Sequence, residues 1–248
     1  MKELLDILHS QNFTGLCDDS RRVQKGNVFF SFPVENAERF ALDAMNSGAI
    51  AIVGEGNPPQ GTEEIFIRVD SVSKARVESA QEVYDRPFEK LKVHAVTGTN
   101  GKTTTAFLMR EILVAAGKKV ALLGTICNKI NDTVWESSLT TPGLLDLYAF
   151  ASAALQEGVT DLVMEASSHA LYQGRMDGVR FASALFSNLT QDHLDYHKTM
   201  ENYFLAKKRL FDCYLAKDGL PIINIDDSYG ALLAKENYSR QILVSRKV

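Results

Sequence analysis

Short runs of apolar residues alternate with longer stretches in which apolar positions recur every three or four residues, and this rhythm predicts an α/β chain. Residues 28–32, 49–53 and 65–69 are compact and apolar and predict strands. Helical spacing over 38–47, stopped by Gly48, and over 73–84 fills the gaps. At 85–88 the sequence is Asp-Arg-Pro-Phe; proline cannot continue a helix and restricts the residue before it, which predicts a boundary between a domain over 1–88 and one over 89–248. Beyond it the period lengthens. Strands are expected at 91–96, 120–123, 161–166, 184–188 and 221–225, and helices at 102–116, 143–157 and 200–215. Apolar strands alternating with helices imply a mostly parallel sheet covered on both faces. In such folds ligands bind beyond the C-terminal ends of the strands.

Composition narrows the picture without redirecting it. A formal charge of −4 leaves no basic footprint for nucleic acid. An anionic ligand must therefore be met by local devices. Cys17, Cys127 and Cys213 are widely spaced and read as reduced thiols of a cytoplasmic protein. The first residues carry acids within a short apolar stretch, unlike a secretory signal, and no run approaches a membrane span. Oligomeric state is not legible.

Candidate chemistry collects at the expected strand ends. The strand at 91–96 runs into Thr97-Gly-Thr-Asn-Gly-Lys-Thr-Thr and then a helix. Glycines let backbone N–H groups face phosphate oxygens, and the new helix presents its positive end. Gly98, Thr99, Asn100, Gly101, Lys102, Thr103 and Thr104 are thus candidates for ATP binding, with Lys102 on the phosphates and Thr103 on Mg²⁺. The strict phosphate-loop pattern places a glycine where Val96 stands, and the competing reading is a Gly-rich turn that binds nothing. Glu165 ends an apolar strand, where a carboxylate is costly unless paired or metal-bound; the alternative is a strand-end residue in water. His193, within Asp-His-Leu-Asp-Tyr-His197, suits a metal or a helix cap. Lys207 shares a helical stripe with Tyr203, Leu210, Phe211 and Tyr214, whereas Lys208 and Arg209 read as solvated charges. Burial among aromatics would favour the neutral amine; the alternative is a lysine that snorkels to water.

The phosphate loop, together with Asp19-Ser20-Arg21, Thr140-Thr141-Pro142, Glu165-Ala-Ser-Ser-His-Ala-Leu171, Asn188-Leu-Thr-Gln-Asp-His-Leu-Asp-Tyr-His197, Tyr203-x-x-Ala-Lys207 and Asn224-Ile-Asp-Asp227, resembles the Mur ligase family in order and spacing. The likeness is greatest to its UDP-N-acetylmuramoyl-tripeptide synthetases and covers nearly all of residues 16–230. The resemblance implies an ATP-dependent ligase of peptidoglycan precursor synthesis. Its substrates would be UDP-N-acetylmuramoyl-L-alanyl-D-glutamate and an amino acid, diaminopimelate or lysine, joined through an acyl phosphate. It further implies catalytic roles for Lys102, Glu165, His193 and a carbamylated Lys207, and Mg²⁺ held by Thr103, Glu165 and His193. Asn224 would approach the adenine, and Ser20, Thr140, Thr141, Ser167, Gln173 and Arg175 the precursor.

Two departures qualify the resemblance. The stretch from Phe32 to Phe40 lacks the glycines that shape the family's uridine pocket and carries Glu35 there. Nothing after Asp227 resembles the family's third domain, which carries an Asp-Asn-Pro-Arg motif; its absence predicts a chain that binds ligands but does not turn over alone, since domain closure completes such sites. Competing readings are a non-catalytic nucleotide-binding relative, the neighbouring ligase that adds D-alanyl-D-alanine, and an unrelated P-loop kinase. The last leaves Ser-Ser-His-Ala-Leu and the Lys207 stripe unexplained.

Overall fold

The computed structural model describes residues 2–246 except 138, 237 and 239. It divides into two compact units, Met1–Arg86 and Pro87–Val248. No helix among the described residues is long and apolar enough to cross a membrane.

The first unit runs α1 (Lys2–Leu8), β1 (Gly15–Cys17), β2 (Asn27–Ser31), α2 (Ala37–Asn46), β3 (Ala51–Gly54), β4 (Phe66–Arg68) and α3 (Val72–Val83). Its strands pair in sequence order and all in parallel. β2 and β3 are apolar on both faces because both faces are covered; Phe29 and Ile52 pack with Ala41 and Ala44 of α2. The sequence pattern finds β2, β3 and β4 with slightly shifted ends, and misses β1, which is too short to display a period. α3 starts where the Ser71 hydroxyl accepts a hydrogen bond from Lys74 N at 3.3 Å.

The second unit contains α4 (Pro87–Lys90), β5 (Lys92–Thr97), α5 (Lys102–Ala115), β6 (Val120–Leu123), β7 (Cys127–Ile130), β8 (Thr133–Glu136), α6 (Leu144–Gln156), β9 (Asp161–Glu165), α7 (Ser168–Tyr172), β10 (Phe181–Phe186), α8 (Leu194–His197), α9 (Met200–Arg209), β11 (Leu215–Asn224), α10 (Ser228–Leu233) and β12 (Ile242–Val244). They build an eight-stranded sheet in the order β12-β11-β10-β5-β9-β6-β7-β8. Pairing is parallel from β12 to β6 and antiparallel in β6-β7-β8. α6 buries Leu144, Leu147, Tyr148, Ala151 and Ala154, the stripe its period prescribes. Phe88 packs edge-on against Tyr148 at 4.7 Å, which draws Pro87 and Phe88 into this unit, slightly ahead of the expected boundary.

Beyond the short elements α1, α4, α7, α8, α10 and β12, which the pattern does not announce, three further differences bear on the second sheet and on the helix that carries Lys207. The hairpin β7–β8 is additional; its strands are short, and its signal is the two-residue Asn131-Asp132 connection, with Asn131 at φ 51°. The helix expected over 200–215 is α-helical to Arg209 and then widens to a π turn over Leu210–Tyr214. The widened turn sets the Tyr214 hydroxyl against Asp177 Oδ1 at 2.7 Å. β11 begins at Leu215 rather than 221, because the charged, glycine-bearing stretch before Leu220 joins the sheet through a register shift against β10.

Register fixes where the site lies. Val96 pairs with Glu165, Thr97 with Phe186, and Phe186 with Ile223. The C-terminal ends of β5, β9, β10 and β11 therefore lie level along one sheet edge.

Candidate active site

The phosphate loop leaves β5 at Thr97 and returns as α5 at Lys102. Gly98 has φ 141°, and a Cβ there would strike the Ser187 side chain and meet Asn188 O at 3.0 Å, so the position admits only glycine. Gly101, at φ 84°, sits at the N-cap of α5 without a side-chain cap, which leaves the first-turn N–H groups to face outward. The segment after β10 stitches the loop in place. Thr99 N donates to Asn188 O (2.9 Å) and Asn100 N to Asn188 Oδ1 (3.0 Å). Ser187 Oγ donates to Asn100 O at 2.7 Å, and Thr190 N to Thr99 Oγ1 at 3.0 Å.

Two amines meet on one carbonyl. Lys102 Nζ donates to Gly98 O (3.1 Å) and Thr99 O (3.0 Å), and Lys207 Nζ donates to Gly98 O at 2.8 Å. Lys207 is 1 % exposed, with its amine 4.7 Å from the Tyr203 ring centroid. Burial holds its pKa well below the ordinary lysine value, the nearby Lys102 charge adds to that, and Asp192 opposes it. Burial also lowers Lys102, against the pull of Glu165 and Asp192. The snorkelling alternative for Lys207 is thereby excluded. Tyr203, Leu210, Phe211 and Tyr214 are buried with it, as the stripe predicts.

Glu165 is fully buried at the end of β9 rather than open to water. Its carboxylate accepts from Thr103 Oγ1 (3.0 Å), Thr125 N (2.8 Å) and Thr125 Oγ1 (3.0 Å). Its backbone carbonyl accepts from Thr141 Oγ1 at 2.7 Å. Thr141 Oγ1 in turn accepts from Ser167 N (3.1 Å), and Ser167 caps α7 by accepting from Ala170 N (3.2 Å). The Arg175 guanidinium forks onto Gln173 Oε1 at 2.9 and 2.6 Å and reaches Thr141 O at 3.0 Å. Thr140, Thr141, Ser167, Gln173 and Arg175 thus form one cluster around Glu165.

His193 occupies the N-cap of α8 at φ 51°, a left-handed conformation that is strained for a side chain of this size, and makes no capping bond. Its Nε2 lies 3.5 Å from Asp192 Oδ2, and its ring is 4.9 Å from His169 and 6.0 Å from Tyr203. Among the described residues no group of three or more His, Cys, Asp or Glu side chains is arranged to hold a metal ion. The residues still suit a hard divalent cation of the kind that takes one or two carboxylates and fills its sphere with phosphate oxygens and water. Glu165 is a buried carboxylate with a hydroxyl beside it, and no Lys, Arg or His ion pair to it is described.

The expectation for Lys208 and Arg209 needs correction. Lys208 and Arg209 are not simply solvated: Lys208 Nζ pairs with Asp212 (2.7 Å) and Glu236 (3.4 Å), and Arg209 Nε donates to Leu171 O (2.9 Å). Both lie where α9 is packed on neighbouring elements, which a stripe-based reading cannot see. Asn224 uses its amide to tie strand ends, Nδ2 to Ser187 O (2.7 Å) and Oδ1 from Asp226 N (3.1 Å). Residues overlooked in the sequence are Thr125, Ser187, Asn188 and His169, and His197 was given no role there. The last is buried, stacked on Tyr203 and bonded through Nε2 to Ser168 Oγ at 3.0 Å. Asn188 and His169 stand inside quoted motifs, so a signal was present; Thr125 follows a strand end without any motif.

In the first unit, Ser20 is buried in a one-turn helix capped by Asp19, whose side chain binds Arg21. The glycine-poor stretch leads from Phe32, stacked under Arg76 at 4.7 Å, to Asn36, the left-handed N-cap of α2. A cavity of about 100 Å³ lies there, lined by Ser31, Phe32, Ala37, Glu38, Glu55 and Phe66.

A strand–glycine loop–helix at the C-terminal edge of a parallel sheet, with the lysine that opens the helix folded back onto the loop, defines the second unit as an α/β domain of the phosphate-loop type. The chain belongs to the Mur ligase family: residues 96–247 match the family's middle domain. A UDP-N-acetylmuramoyl-L-alanyl-D-glutamate–2,6-diaminopimelate ligase of Solibacter usitatus is 43% identical over 238 residues, 94% of this chain and 48% of that protein. A solved structure of a ligase of that name superposes with a TM-score of 0.78 at 31% identity, over 95% of this chain and 49% of that one. A MurF ligase from Thermotoga maritima in complex with ADP shares the fold, with a TM-score of 0.61 at 19% identity, over 98% of this chain and 52% of that one. The chain spans about half the length of the curated relatives it matches.

Proposed function

We propose that this chain carries the nucleotide- and acceptor-binding machinery of an ATP-dependent ligase that extends UDP-N-acetylmuramoyl-L-alanyl-D-glutamate by an amino acid. The reading rests chiefly on one observation: Lys102 and Lys207 meet on Gly98 O, and the Thr103–Glu165 pair stands at the same C-terminal edge of the sheet, close enough for the Glu165 charge to act on Lys102. In the reaction, a carboxylate oxygen of D-glutamate attacks the γ-phosphorus and ADP leaves. The amine of the incoming amino acid then attacks the acyl carbon, losing a proton as inorganic phosphate departs. Two anions must therefore approach each other, and this chain supplies what screens and aligns them.

Lys102 turns from the loop carbonyls to the β- and γ-phosphates, while the open N–H groups at the start of α5 receive phosphate oxygens. Gly98, Thr99, Asn100, Gly101, Thr103 and Thr104 make up the rest of that cradle, and Asn224 borders it. Thr103 and Glu165 would hold Mg²⁺ with the help of His193, and the ion would supply charge neutralisation at the transferring phosphoryl group. Burial favours the neutral amine of Lys207, which would add CO₂ at Nζ and release a proton, giving an anionic carbamate. Thr140, Ser167, Gln173 and Arg175 take the precursor's peptide, while Thr141, buried and bonded to Glu165 O and Ser167 N, holds their loop; Ser20 stays a candidate precursor contact of the first unit.

The amino acid is assigned as 2,6-diaminopimelate on the names of the relatives. The reaction is assigned to the cytoplasm, where ATP is supplied and where free cysteines such as Cys17, Cys127 and Cys213 stay reduced. Calorimetric titration with Mg²⁺ and a non-hydrolysable ATP analogue tests the core of the reading. Lys102→Ala is expected to weaken binding by about 10-fold or more, the range for a hydrogen bond to a charged group. Equal affinity of the two proteins, or no binding by either, would refute it.

A further inference from the structure

Gly124 and Thr125 follow β6, which borders β9 on the side away from β5. A Cβ on Gly124 would come within 2.5 Å of Glu165 Oε1, so the turn presses directly on that carboxylate. Thr125 N holds Oε1 at 2.8 Å, while the Thr125 hydroxyl lies 3.0 Å from Glu165 Oε2 and 3.0 Å from Thr140 Oγ1. A hydroxyl has a single hydrogen, so it can donate fully to one of these two oxygens at a time. A bond to a carboxylate is the stronger and claims that hydrogen while the charge on Glu165 is uncompensated. Thr103 shares Oε2, placing the competition on the oxygen nearest the phosphate loop.

We propose that Thr125 is a positioning residue that couples the two substrates: as cation and nucleotide draw on Glu165, its hydroxyl hydrogen turns to Thr140 and frees the Thr140 hydrogen for the precursor. The inference rests on the function proposed above and adds a link between its two binding events. Such a link is reciprocal, so each ligand raises affinity for the other. Thr125 is solvent-exposed, and Thr125→Val keeps its shape and its backbone bond to Glu165, so the variant should fold as the parent does.

The test uses the full chain, titrated with UDP-N-acetylmuramoyl-L-alanyl-D-glutamate, first alone and then with saturating Mg²⁺ and a non-hydrolysable ATP analogue. The parent is expected to bind the precursor about five-fold or more tightly in the second titration, at the lower end of usual coupling. Thr125→Val should bring that ratio to about one while still binding the Mg²⁺–nucleotide, and Thr125→Ser should restore it. A Thr125→Val protein with the parental ratio, or a parent without coupling, overturns the proposal. A parent that binds neither ligand in the separate titrations overturns the proposed function as well, so the two failures read differently.

Discussion

Lys207 illustrates how a charge-bearing residue behaves when its neighbours leave it no water. Its amine has Gly98 O as an acceptor and an aromatic face beside it, in a setting where protonation is disfavoured. The unfolded chain holds the proton up to the ordinary value of 10.5, whereas the folded chain gives it up earlier. Between those points the unfolded state binds more protons, so stability rises with pH through that window. Urea unfolding from neutral to alkaline pH should therefore show the parent gaining stability relative to Lys207→Met. At neutral pH the variant should match or exceed the parent, or fall short by less than about 1.5 kcal/mol, since the swap nearly conserves volume and Lys102 still satisfies the carbonyl. A parent that loses ground as pH rises would contradict this account. Helical spacing made the aromatic stripe of Lys207 legible in the sequence, but spacing left open a lysine that snorkels to water, and only the family resemblance pointed to a buried amine. The pairing of Lys208 and Arg209 was not legible, because their partners Asp212, Glu236 and Leu171 come from turns and neighbouring elements that a stripe does not encode.

At the scale of elements, the phosphate loop is held less by itself than by the segment that follows β10. Ser187, Asn188 and Thr190 fix it through side-chain and backbone bonds, and Gly98 passes so close that no Cβ fits. Gly98→Ala should destabilise the protein by about 1–3 kcal/mol, through both φ and crowding, and should weaken nucleotide binding in the same sample. Thermal denaturation together with calorimetry reads both; an unchanged melting point would show that the loop can yield. The strand–loop–helix order was plain from the sequence, since glycines and a helix-period run are local signals. The clamp was not, because Asn188 and Gly98 are far apart in sequence and only the β5–β10 register brings them together. The β7–β8 hairpin and the π turn escaped for a related reason: four-residue strands carry little periodicity, and a single wide turn leaves the apolar stripe intact.

For the molecule as a whole, each unit carries a sheet and a core of its own, and the site residues other than Ser20 belong to the second. A protein made of residues 87–248 should fold cooperatively and bind Mg²⁺–nucleotide with an affinity within about two-fold of the full chain, while losing affinity for the precursor. Circular dichroism and titration check this; loss of nucleotide binding on removal of the first unit would mean that the site draws on both. The α/β class and both sheets followed from the alternation of strands and helices, and the level edge of strand ends followed from the parallel pairing rule.

The folded-back posture of Lys102 bears on how the site could be blocked. Its amine already donates to two loop carbonyls, so a compound bearing a phosphate mimic must first unhook it and is penalised for that exchange. A scaffold that leaves this internal clasp fastened, and binds instead to the outward N–H groups at the start of α5, would avoid the exchange altogether. Drug design against this shape therefore has two separate routes, one repaid by the lysine's bonds to an anionic group and one that leaves the clasp closed.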